Sequence, residues 1–117
     1  MRPILAALAM LIATPVLAQG ARPITDRSEF VQLVQGRNLT RLGISLNVTG
    51  DGRITGSAMG RDVSGTWEWN GGYFCRVLKW GGKVIDSYNC QAVQLEGAAL
   101  RFTSDKGAGD TAKLRLQ

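Results

Sequence analysis

Between Arg41 and Val48 polar and apolar side chains alternate: Leu42, Ile44, Leu46 and Val48 fall on one face, Arg41, Gly43, Ser45 and Asn47 on the other. A period of two predicts a half-buried antiparallel strand. TGDGR turns the chain. The pattern resumes with Ile54, Gly56, Ala58 and Gly60, then, past Arg61-Asp62, with Val63, Gly65, Trp67 and Trp69. Asn70-Gly71-Gly72 marks the next turn before YFCRVLKW, Gly81-Gly82-Lys83 another, and VIDSYNCQAV, ALRFTS and TAKLRLQ follow. Evenly spaced strands with glycine-marked turns predict a mainly β fold, a small antiparallel meander closing as a barrel of about seven or eight strands.

Ahead of the meander the period changes. In TDRSEFVQLVQGR, Phe30, Leu33 and Val34 form one apolar stripe, Asp26 and Glu29 have capping-box spacing, and Gly36 stands at C′. One short N-terminal helix is expected here, and KGAGD near the end of the chain reads as a loop.

Turn lengths predict which residues meet. A two-residue loop at Arg61-Asp62 sets Gly56 opposite Trp67 and Ile54 opposite Trp69, so that small residues make room for indole rings. A three-residue turn over 70–72 sets Trp67 opposite Cys75 and Trp69 opposite Tyr73, and a four-residue turn over 81–84 sets Cys75 opposite Cys90. This register collects Gly56, Gly65, Trp67, Trp69, Tyr73, Tyr88 and the cysteines on the core face. Phe74, Leu78 and Trp80, with Arg76 between them, then point away from the core beside Ile85. Aromatic side chains around an arginine are the residue types that carry interface energy, so these four form a candidate partner surface unless the helix covers them. A slip of one residue would exchange the two faces.

The start of the chain changes the setting. Arg2, an apolar run from Ile4 to Val16 broken only by Thr14 and Pro15, and small residues up to Ala18 form a secretory signal peptide, with cleavage expected after Ala18. The run is too short for the roughly 20 residues of a membrane span. The expected organisation is a signal peptide at 1–18, a flexible segment at 19–25 and one small domain at 26–117, in a periplasmic or secreted protein. The whole chain carries a formal charge of +5, its basic residues scattered rather than clustered, which suits solubility more than attraction to an anionic envelope polymer or an acidic protein partner. In an oxidising compartment the only two cysteines, Cys75 and Cys90, are expected to form a disulfide.

Catalytic chemistry is thin. The chain has no histidine, which removes Ser–His and Cys–His nucleophiles and argues against a zinc site. Glu68 and Asp86 fall on middle strands, but nothing pairs them as an acid–base dyad. GDGRITG places its third glycine one residue late for a dinucleotide fingerprint and leads into strand residues, where that motif needs a helix N-terminus. The sequons at Asn38 and Asn47 sit near or inside a strand, behind a signal peptide of bacterial type, and read as chance.

The exported start, GRNLTRLGISLNV, GRDVSGTWEWNGGYFCR, the second cysteine and RFTSDKGAG together resemble a set of small exported alphaproteobacterial proteins, some automatically labelled dihydrodipicolinate reductase. The run ITGSAMGRDV is similar to the glycine-rich turn of those reductases at Gly56, Met59, Gly60 and Arg61, but Ser57-Ala58 replaces the central glycine and the family's histidines have no counterpart. Reductase activity is therefore disfavoured. The G-x-W element of Gly65 and Trp67 is similar to that of calycin-type barrels and small periplasmic metalloprotease inhibitors, which implies an early helix and an eight-stranded barrel, although here it falls in the third strand. The expectation is a non-enzymatic exported binding or interaction module without cofactor or metal. Its partner would be a protein or envelope component, with neither nucleic acid nor stable membrane insertion involved. A small apolar ligand in the barrel is a further option, against which Trp67 and Trp69 would fill the interior. The alternative is a small-barrel protease inhibitor acting through residues 19–25.

Overall fold

The computed structural model describes residues 20–117, so the expected signal peptide lies outside the described residues. The strands are β1 (Arg22–Ile24), β2 (Leu39–Arg41), β3 (Ile44–Thr49), β4 (Arg53–Ala58), β5 (Arg61–Asn70), β6 (Tyr73–Trp80), β7 (Lys83–Glu96), β8 (Ala99–Thr103) and β9 (Thr111–Leu116). Each strand from β2 to β9 pairs antiparallel with the next, and β9 returns to β2 through Leu39 opposite Leu116. The result is a closed eight-stranded barrel. β1 is an extra strand, paired with Val93 to Leu95 of β7. Residues 22–24, expected to be flexible, are therefore part of the sheet, anchored by Ile24 at 1% exposure.

Helix α1 (Arg27–Val34) begins where the capping pattern places it, with the Asp26 carboxylate accepting from the Glu29 amide at 3.1 Å. Glu29 does not complete the reciprocal bond of a capping box; its carboxylate pairs with Arg22 of β1 at 2.6 Å. The helix plugs one end of the barrel and does not lie on an outer face. Phe30, fully buried, stacks at 5.0 Å on both Trp69 and Phe74 and meets Trp67 edge-on at 5.4 Å. Arg27 fixes the plug to the β3–β4 turn by donating to the Gly50 carbonyl at 2.8 Å. Both indoles at this end are satisfied, Trp67 by the Thr49 carbonyl at 2.9 Å and Trp69 by the Thr25 carbonyl at 3.1 Å.

Three expected registers change. LTRLGISLNV is not one strand but two, because Leu42-Gly43 turns between β2 and β3 and leaves Leu42 91% exposed. The β4–β5 loop is Met59-Gly60, not Arg61-Asp62, so Gly56 lies opposite Val63 and Ile54 opposite Gly65. Indole rings therefore do not nest over these glycines. Gly56 and Gly65 instead let strands close on one another: a Cβ on Gly65 would run into the Val77 carbonyl oxygen and lie 3.2 Å from the Leu78 side chain. The third change, at residues 70–72, decides the interior. Asn70 pairs with Tyr73, so only Gly71 and Gly72 form the loop, both with positive φ. That is the geometry of a type I′ hairpin, whose twist matches that of the flanking strands. Trp67 then faces Arg76, and every side chain of β6 changes sides relative to the expected register.

Past Ser104–Gly107, a single irregular turn with Asp105 and Lys106 at positive φ, β9 completes the barrel. On the outer surface Arg101 of β8 donates to Glu96 of β7 at 2.6 and 3.1 Å, and Lys113 of β9 approaches the same carboxylate at 3.3 Å. The Arg101 hydrogen bond, followed by that from Lys113, holds Glu96 below the ordinary glutamate value.

Two outcomes follow from these contacts. Gly65→Ala is expected to lower stability by about 1–3 kcal/mol, the range for overpacking, read as a shift of the urea midpoint. Because the folded form lowers the pKa of Glu96, its contribution is present at neutral pH and lost as pH falls through that lowered value. The Tm difference between the wild type and Glu96→Gln is therefore expected to be largest near pH 7 and to shrink below the ordinary glutamate range, as followed by circular dichroism.

Candidate functional site

The two-residue turn at Gly71-Gly72 sends Phe74, Arg76, Leu78 and Trp80 into the barrel. The stripe expected on the outside is thus an inner wall: Phe74 is 4% and Arg76 7% exposed, with Leu78 and Trp80 half-buried. Trp80 closes against β4, its indole N–H donating to the Ala58 carbonyl at 2.7 Å, with the Arg61 guanidinium 5.0 Å above its ring. Conversely, Tyr73 and Tyr88, expected in the core, lie outside; Tyr88 is 53% exposed. Of the expected core set, Gly56, Gly65, Trp67 and Trp69 keep their inward side.

The inward side chains do not fill the barrel. A cavity of about 220 Å³ remains, walled by Leu39, Ile44, Leu46, Val48, Ile54 and Leu114. Phe74 and Phe102, which touch Phe30 of the plug at 5.0 and 6.4 Å, also line it and form its floor. Trp67 and Trp69 do not occupy this space, because they pack against the helix at the closed end. Arg41 and Asp86 line the cavity while remaining exposed, so they mark its mouth. Ile44 and Leu46 point inward yet are only half-buried, since they face open space rather than neighbouring side chains.

One strong charge interrupts the apolar wall. Arg76 sits opposite Trp67 on β5 and Asn89 on β7, and its Nη2 reaches Asp86 Oδ2 at 3.3 Å. Its Nη1 is buried and has no hydrogen-bond partner among the described residues. Burial pulls the guanidinium below its ordinary value, opposed by the attraction of Asp86, whose side chain is 55% exposed and shared with solvent. A guanidinium with an unmet donor beside an apolar cavity is set to receive an oxygen acceptor. Gln91, 7% exposed, donates to Ser104 Oγ at 3.1 Å and completes the polar part of the lining.

On the outer face Cys75 and Cys90 form the disulfide, as directly paired residues of β6 and β7. The expected pairing holds although the expected turn does not. Gly81 and Gly82 make a two-residue loop, and two register shifts between Arg76 and Lys79 add the residues that the shorter turn leaves out. Tyr88 donates to Glu68 at 2.7 Å, which holds the phenol above its ordinary value. Glu68 thus stands outside the barrel while Asp86 faces its interior, on opposite sides of the wall. Among the described residues no group of three or more His, Cys, Asp or Glu side chains is placed to hold a metal ion. Gly56, Met59, Gly60 and Arg61 lie in β4, its turn and the start of β5, not at a helix N-terminus.

The cavity walls contributed by Leu39, Ala112 and Leu114 escaped sequence reasoning, as did the roles of Arg41, Asp86 and Gln91. Gly71-Gly72 was the available signal, since a Gly-Gly pair between alternating runs is a two-residue hairpin loop and fixes the parity of β6. No family model, no curated protein and no solved structure matches the chain.

The disulfide clamps the two strands immediately beside their irregular pairing. Replacing both cysteines by serine is expected to cost about 3 kcal/mol, the chain-entropy value for a loop of roughly 15 residues, measured by urea denaturation under non-reducing conditions.

Proposed function

We propose that this protein is a non-enzymatic binding module of the periplasm or the secreted medium, and that its ligand is a small apolar molecule held inside the barrel. The observation that carries the reading is the cavity over the Phe74–Phe102 floor, an apolar space left inside an otherwise closed β-structure. Ligand sites are concave, mostly apolar and equipped with few polar groups, and this one has that composition. At about 220 Å³ it is smaller than the roughly 300–1,000 Å³ of sites for drug-sized molecules, which points to a ligand of few heavy atoms. The exported location is supported by the signal features of residues 1–18 and by the disulfide, which persists in oxidising compartments. Among the described residues no helix is long and apolar enough to cross a membrane. Protease inhibition through residues 19–25 is the weaker reading, because Arg22–Ile24 is paired in the sheet and leaves little free chain to enter another protein's active site.

Titration with 1-octanol, followed through the methyl resonances of Leu46, Ile54 and Ala112, is expected to give saturable shifts confined to the cavity. Leu46→Trp, which fills the space, should abolish them while leaving the remaining spectrum folded. Shifts spread over the outer surface, or none at all, would reject the reading.

A further inference from the structure

We propose that the ligand of this cavity is an amphiphilic monocarboxylate, its head group bound by Arg76 and its hydrocarbon tail lying over the Phe74–Phe102 floor. The inference rests on the cavity reading above and adds the chemical class of the ligand. Arg76 is 7% exposed and lines the cavity, a position in which an arginine is rarely found without compensation. Its guanidinium has five N–H donors. Asp86 accepts one at 3.3 Å, from a side chain that is itself 55% exposed, and Nη1 has no partner.

The charge balance of the lining points the same way. Among the described residues Arg41 and Arg76 are its cations and Asp86 its only carboxylate, so the lining has a net positive charge within apolar walls. An anion brought there removes that excess, and a carboxylate matches the planar fork of a guanidinium better than a single-point acceptor does. The rest of the surface offered to the ligand is hydrocarbon, from Ile44, Leu46, Ile54, Leu78 and Leu114. A small inorganic anion would satisfy Arg76 and leave those walls without contact, whereas a neutral alkyl compound would satisfy the walls and leave Nη1 unmet. Only a molecule with both ends answers both. The volume of about 220 Å³ corresponds to roughly seven water-sized groups at about 30 Å³ each, which suits a chain of about six to ten carbons.

The test compares octanoate with 1-octanol at pH 7 by methyl NMR titration of the mature protein, in the wild type and in Arg76→Gln. Octanoate is expected to bind the wild type at least about tenfold more tightly than octanol, and Arg76→Gln to remove that preference while retaining octanol binding. Equal affinities for the two in the wild type would overturn the carboxylate assignment and leave the apolar cavity standing; failure of both to bind would overturn the cavity reading itself. Should Arg76→Gln not fold, Asp86→Asn takes its place. By releasing Nη2 it is expected to strengthen octanoate binding several-fold without changing that of octanol, and an unchanged octanoate affinity would count against the head-group role of Arg76.

Discussion

Everything inside this barrel depends on the parity imposed by the turn at Gly71-Gly72. Side chains alternate along a strand, so the number of residues in a hairpin loop determines which set of the following strand faces the core. With both glycines in the left-handed region the loop is two residues long, and β6 delivers Phe74, Arg76, Leu78 and Trp80 inward. One more residue in that loop would bring Tyr73, Cys75, Val77 and Lys79 inside, a set that could build neither the aromatic floor nor the charged wall.

From that parity comes a division of labour along the barrel axis. At the helix end, Phe30, Trp67, Trp69, Phe74 and Phe102 form a dense aromatic cluster, with edge and tilted contacts that suit the ring quadrupoles. Because so much volume is gathered there, the other half of the barrel is lined by aliphatic side chains that do not meet across the axis. Packing and open volume are thus separated: one end is filled by rings that hold the fold, and the other stays open beside the buried Arg76.

The helix and the general run of strands were legible because local signals governed them: Asp26 three residues before Glu29, Gly36 after the last apolar turn, and alternation throughout β3 to β9. The disulfide was legible from residue type and from the oxidising compartment that residues 1–18 lead one to expect. What failed was turn length. Leu42-Gly43 was hidden inside an uninterrupted alternation, and Met59-Gly60 was overlooked because a methionine at positive φ is not a usual turn signal. The slip at β4–β5 was harmless, since it moved the pairing by an even number of residues and kept Gly56, Gly65, Trp67 and Trp69 inside. The slip at β5–β6 was odd, and it turned the inner wall into an apparent docking stripe. Arg76 encouraged that error, for a basic residue on an alternating strand ordinarily marks the solvent side.

The seam between β2 and β9 joins the two ends of the meander, and Thr40 donates across it to the side chain of Gln117, 77 positions later. Closure by so distant a contact is entropically slow and comes late in folding. Since β9 is synthesised after the other strands of the barrel, a nascent chain has every other stave before it has the one that completes the ring. Leu114 reaches the lining only with that final strand. A chain that still lacks β9 can hold hairpins but no enclosed chamber.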